Sequence, residues 1–98
     1  MTTTYRFAVN VLPKDGILDP QGRAVEGSLG HLGIEGVTAV RVGRRIELTV
    51  TADDEHAARA IVERLASELL ANPLIEAYTV EVIGAASSRT SSPAGVAS

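Results

Sequence analysis

The stretch that most constrains the fold runs from Leu12 to Val25, because within it a strand has to stop and a helix has to start. Asp15-Gly16 is turn chemistry: glycine reaches positive φ without a Cβ clash, and aspartate bonds its own backbone. Asp19-Pro20 reads as an N-cap followed by the first helical residue. The carboxylate accepts from free N–H groups of the first turn, and proline's fixed φ suits a position whose N–H would be unpaired anyway. A helix therefore begins at residue 20. Gly22, inside its first turn, costs ~1 kcal/mol against alanine, which suggests that another chain or a ligand lies close by.

The alternation Tyr5, Phe7, Val9, Val11 against Arg6, Ala8, Asn10, Leu12 makes the segment before this turn a strand. After Pro20, Val25, Leu29 and Leu32 form one narrow apolar stripe that should face a core, with Gly33 as the terminating residue. Gly27, Gly30, Gly33 and Gly36 do not follow a strand in the order a phosphate-binding loop requires, so close helix-on-sheet packing and a C-cap are the simpler reading. Val37 to Val42 and Arg45 to Thr51 are β-rich runs around Gly43-Arg44, a type II′ hairpin signal. Asp53-Asp54-Glu55 then supplies an N-cap and charges favoured by the helix dipole. Ala58, Ile61, Leu65 and Leu69, with Ala57 and Val62 beside them, form the stripe of a second helix that stops at Asn72-Pro73. Glu76 to Ile83 alternates again.

The resulting order is β-α-β-β-α-β: an α+β, ferredoxin-like antiparallel sheet with two helices on one face. Residues 1–83 form the domain, and residues 84–98, rich in Ala, Ser and Gly, read as a flexible tail. The uncovered face would carry Arg6, Ala8, Asn10, Leu12, Val40, Val42, Arg45, Glu47, Thr79, Glu81 and Ile83. That is a larger mixed apolar and charged surface than a small monomer usually leaves wet, so a subunit interface is expected there. A chain of 98 residues hides only ~60% of its unfolded surface, and oligomerisation would help its stability.

Composition removes several function classes. There is no cysteine, which excludes a disulfide framework and thiolate chemistry. A net charge of −3, scattered arginines and only three aromatics argue against a nucleic-acid surface. No signal peptide or bilayer-length apolar run stands out, so no membrane role and a cytoplasmic location are expected. His31 and His56 are too far apart for a paired metal site. Asp53, Asp54 and Glu55 read as a cap rather than an acid–base cluster, and neither Ser28 nor Ser67 has a histidine at a spacing that suggests a nucleophile and its base. Arg41, Arg44 and Arg45 at the hairpin tip could clamp a phosphate, though a solvated tip also needs charge for solubility. No catalytic set is legible.

The blocks Lys14 to Val25, Leu29 with Leu32-Gly33, Val40 to Arg44, and Leu69 to Glu76 resemble the PurS family, the small subunit of phosphoribosylformylglycinamidine synthase. The resemblance runs from about Tyr5 to Val82, with Arg44 where members commonly carry lysine and a tail longer than the family needs. It implies a non-catalytic role in de novo purine biosynthesis. A glutaminase subunit releases ammonia and a synthetase subunit uses ATP and magnesium to convert formylglycinamide ribonucleotide to formylglycinamidine ribonucleotide. The PurS-like chain binds no cofactor and, as a dimer or tetramer, joins the two. The residues expected to touch a partner or second protomer are Lys14, Asp19, Pro20, Gln21, Gly22, Asn72, Pro73 and Glu76.

Two other classes share the element order. A small-molecule-sensing regulatory module would hold an amino acid at the strand–helix turn, using Asp19 and Gly22. An acylphosphatase-like enzyme needs an arginine in a phosphate-cradling loop and an orienting asparagine, where this chain has Lys14 in the loop and Asn10 in the strand before it.

Overall fold

A computed structural model describes residues 2–87. Strand β1 (Thr3–Pro13) lies at the centre of an antiparallel three-stranded sheet, with β2 (Arg44–Ala52) on one side and β3 (Glu76–Ser87) on the other. Tyr5, Phe7, Val9 and Val11 of β1 are all buried, as their alternation predicts. One bulge interrupts the β1–β3 ladder between Arg6 and Phe7. The α+β class and the ferredoxin-like arrangement hold, with one strand fewer than expected.

Helix α2 (Glu55–Leu65) covers the core face, capped by Asp54 Oδ1, which accepts from Ala57 N at 2.8 Å. The row buried by α2 and the π turn that continues it (Ala66–Leu70) is Ala58, Val62 and Ala66. Two alanines and a valine bring the helix axis close to Phe7, Val9 and Val11. Of the expected stripe, Ala58 is buried with Val62 beside it and Leu65 is half-buried, while Ile61 (45%) and Leu69 (73%) are exposed. Arg59 lies over the Phe7 ring, 5.7 Å from its centroid, and closes one edge of the core.

Helix α1 (Pro20–Leu29) starts where its cap predicts: Asp19 Oδ1 accepts from Gly22 N at 3.0 Å. A short 3₁₀ turn (Gly30–Leu32) follows, ended by Gly33 in the left-handed region at φ 72. The stripe of α1 does not meet this chain's core. Gly22 is its only buried residue, while Val25 is 44% and Leu32 70% exposed. Gly27 and Gly30 face open space, so close helix-on-sheet packing is not their role.

The expected strand at 37–42 is absent. Val40 N donates to Glu26 Oε2 at 2.8 Å and Val42 N to Asp19 Oδ2 at 2.9 Å, so carboxylates of α1 and its cap take the N–H groups that a ladder would have used. Ala39, at φ 58, turns the segment away from a strand path. Gly43 lies against the Val11 carbonyl and leads straight into β2 without a hairpin. Val40 and Val42 therefore leave the open sheet face, and the outer edge of β2 carries no partner among the described residues.

That open face is polar. Arg45 reaches Glu47 at 2.9 Å and Glu81 at 2.8 Å, Asn10 donates to Glu81 at 3.0 Å, and Ala8 is fully covered beneath them. Ordered strand continues to Ser87, past the expected end of the domain at Ile83, because residues 84–87 pair with Thr3 to Arg6. The remainder of the expected tail, 88–98, lies outside the described residues. No helix among the described residues is long and apolar enough to cross a membrane.

Candidate functional site

Antiparallel pairing brings the end of β1 and the starts of β2 and β3 to one edge of the molecule, with Arg44 opposite Val11 and Glu76 opposite Pro13. The turn that leads into α1 and the Asn72–Ile75 turn that leads into β3 therefore meet there. Lys14 N donates to Ile75 O at 2.9 Å, which ties the two turns directly. Between them lies a cleft of about 520 Å³ whose walls include Ile17, Leu18, Asp19, Gln21, Arg44 and Glu76.

Its charged groups are satisfied from within. Arg44 grips Glu76 as a fork, with Nη1–Oε2 at 2.8 Å and Nη2–Oε1 at 3.0 Å, and Nη2 also donates to Leu70 O at 2.6 Å. That fork, helped by Asn72 N at 2.7 Å from Oε1, holds the Glu76 carboxyl down to about 2. The same pairing raises Arg44 above its ordinary value. Asn72 shapes the turn: its carbonyl accepts from Ile75 N and Glu76 N, and its Oδ1 accepts from Leu74 N. Asp19 is pulled below the carboxylate range by Gly22 N–H first and Val42 N–H second. Each of its oxygens already holds one backbone N–H, Oδ1 that of Gly22 and Oδ2 that of Val42, so the carboxylate ties the start of α1 to the segment before β2.

Of the eight residues singled out in the sequence, Asp19, Pro20, Gln21 and Glu76 line this cleft. Gly22 sits behind it against Val40, Asn72 and Pro73 form the turn that presents Glu76, and Lys14 lines an adjoining smaller cavity. Ile17 and Leu18 of the cleft belong to the block from Lys14 to Gly22 that the resemblance marks for contact, whereas Val42 and Arg44 lie outside the expected contacts. Arg44 had been placed on a solvated hairpin tip, and only the strand register could have set it beside Glu76. The phosphate clamp that Arg41, Arg44 and Arg45 could have formed does not assemble: Arg41 donates to Pro13 O, Arg44 serves Glu76, and Arg45 lies on the open sheet face.

The apolar part of this edge is uncovered, with Leu18 72% and Leu74 82% exposed. Large aliphatics standing free beside ion pairs that are already closed suit contact with another protein better than turnover of a small substrate. Among the described residues, no group of three or more His, Cys, Asp or Glu is placed to hold a metal.

Comparison with known proteins decides the family. The family model described as "PurS: Phosphoribosylformylglycinamidine (FGAM) synthase" matches residues 6–84. The chain belongs to the PurS family. It is 40% identical over 82 residues to the phosphoribosylformylglycinamidine synthase subunit PurS of Synechocystis, covering 84% of this chain and 82% of that one. The Mycobacterium leprae subunit is 44% identical over 77 residues, covering 76% and 91%. The crystal structure of the PurS subunit from Thermotoga maritima superposes with a TM-score of 0.75 at 32% identity, over 82% of this chain and 92% of that chain. A chain of the PurLQS structure from the same organism gives the same TM-score at 32% identity, over 82% and 98%. Both turns that form the cleft fall inside the PurS match.

Proposed function

We propose that this chain is the PurS subunit of a phosphoribosylformylglycinamidine synthase in de novo purine biosynthesis, working in the cytoplasm. In this reading it joins a glutaminase subunit, which releases ammonia, to a synthetase subunit that uses ATP and magnesium, for conversion of formylglycinamide ribonucleotide to formylglycinamidine ribonucleotide. The observation that carries it is the family match across residues 6–84. The PurLQS structure supports assembly with two other subunits, since one of its chains shares this fold. The edge between Lys14 and Gly22 on one side and Asn72 and Glu76 on the other is the contact surface. Tagged full-length chain should retain one glutaminase and one synthetase from native extract supplied with glutamine and ATP. Retention of neither would end this reading.

The same chain is a homodimer in this account. Val25 of α1 with Leu32 of the turn after it, and Ile61 of α2 with Leu69 of the turn after that (Ala66–Leu70), stand exposed, and its own sheet covers neither pair. A two-fold axis lets each protomer cover the other, which is how an isologous interface uses one surface twice. Sedimentation at micromolar concentration should give twice the chain mass. Leu32→Asp should shift the protein toward monomer, and a wild-type chain sedimenting as monomer would contradict the dimer.

A further inference from the structure

A second cavity, of about 210 Å³, adjoins the cleft and shares Ile17 and Leu18 with it. Its lining carries three cations, Lys14, Arg23 and Arg41, against Asp15 and Asp19. Lys14 and Arg23 take part in no ion pair within 4.0 Å among the described residues. Arg41 has only Asp15, at 3.8 Å, and the Asp15 side chain is 99% exposed, so that pair holds little of the arginine's charge. The Asp19 oxygens are occupied by the N–H groups of Gly22 and Val42. Three cations against two carboxylates leave the cavity with one net positive charge in a chain whose own charge is −3.

Ala39 lines the same cavity at φ 58, and it is the non-glycine residue with positive φ among the described residues. Backbone held in that region costs on the order of 1 kcal/mol, and such outliers gather at binding sites. Small-molecule pockets run from about 300 Å³ upward, so the volume suits one acidic side chain better than a nucleotide. Next to it, across the Ile17–Leu18 wall, the larger cleft offers apolar surface.

We propose that the two cavities together dock an extended acidic segment of a partner subunit, its carboxylate among Lys14, Arg23 and Arg41 and a neighbouring aliphatic side chain against Leu18 in the cleft. The proposal rests on the reading of this chain as a subunit and adds the chemistry of the segment it takes. Charge complementarity carries it: a locally basic cavity on an acidic chain selects an acidic partner surface and makes its capture depend on salt.

Surface-immobilised full-length chain is titrated with purified glutaminase and synthetase subunits at 50 and 300 mM salt. Wild type should bind one of them several-fold more weakly at the higher salt, on the scale of exposed charge contacts. Lys14→Glu/Arg23→Glu should bind that subunit about tenfold more weakly at low salt and lose the salt dependence. The milder Lys14→Met/Arg23→Met should fall between the two, and Leu18→Ala should weaken binding while keeping the salt dependence. Circular dichroism and sedimentation matching wild type exclude misfolding. If wild type binds neither subunit, the subunit reading itself fails. If wild type binds and the double variants bind equally well at both salts, the acidic-segment proposal fails and the subunit reading stands. Competition by inorganic phosphate at micromolar concentration, without any effect of the variants on subunit binding, would make the cavity a free-anion site and overturn the proposal.

Discussion

Gly43→Ala should destabilise the protein by more than about 3 kcal/mol, a large share of the roughly 5–15 kcal/mol that holds a small domain together. A Cβ on Gly43 would lie 2.0 Å from the carbonyl oxygen of Val11 and 3.0 Å from its carbonyl carbon, with a Leu12 methyl at 2.7 Å. The methyl can rotate away, but the Val11 carbonyl belongs to the central strand and cannot. Relief therefore needs either β1 to leave its ladder or the segment before β2 to swing away. The second route also breaks the Val42–Asp19 and Val40–Glu26 bonds that hold that segment to α1. Gly22→Ala meets a similar obstacle, 2.3 Å from Val40 O. Gly27→Ala is the control. It faces open space, and alanine there should stabilise the helix by up to ~1 kcal/mol. Urea denaturation of the three variants reads the contrast; a Gly43→Ala protein with the wild-type midpoint would mean the close approach is absent in solution.

The close approach at Gly22 was visible in the sequence as a cost without a cause, and the structure supplies one: this chain's own Val40 carbonyl lies where a Cβ would go. The Asp19-Pro20 cap was legible for a simple reason. A cap is decided by residues three apart, and the local sequence contains all of them. The β1 core followed from its alternation. Residues 37–42 failed because alternation records only where side chains point. It cannot show that the N–H groups of Val40 and Val42 are claimed by carboxylates 14 and 23 positions earlier in the chain.

The stripes of the two helices erred for a related reason. Periodicity finds an apolar face but not the chain that covers it, so Val25, Leu32, Ile61 and Leu69 were assigned to a core that does not include them. On α2 the sheet chose the row of small residues, because Phe7 and Val11 already fill the space that longer side chains would need. At the candidate site, both turns could be named in advance because turn residues are local signals. The Arg44–Glu76 fork could not, because 32 positions separate its members and a register joins them.

Removal of a chain that joins two activities rather than performing either should have the largest functional effect. Ammonia released by one subunit into bulk water is diluted before another can use it. Two sites held together let it pass from one to the other before it equilibrates with bulk water. Product formation from formylglycinamide ribonucleotide and ATP is therefore to be measured with glutamine and with ammonium, each with and without this chain. The account predicts that omission lowers the glutamine-driven rate more than about tenfold and leaves most of the ammonium-driven rate, with neither ATPase nor glutaminase activity in the chain alone. An equal loss with both nitrogen sources would contradict it, because the chain would then be shaping the synthetase active site itself.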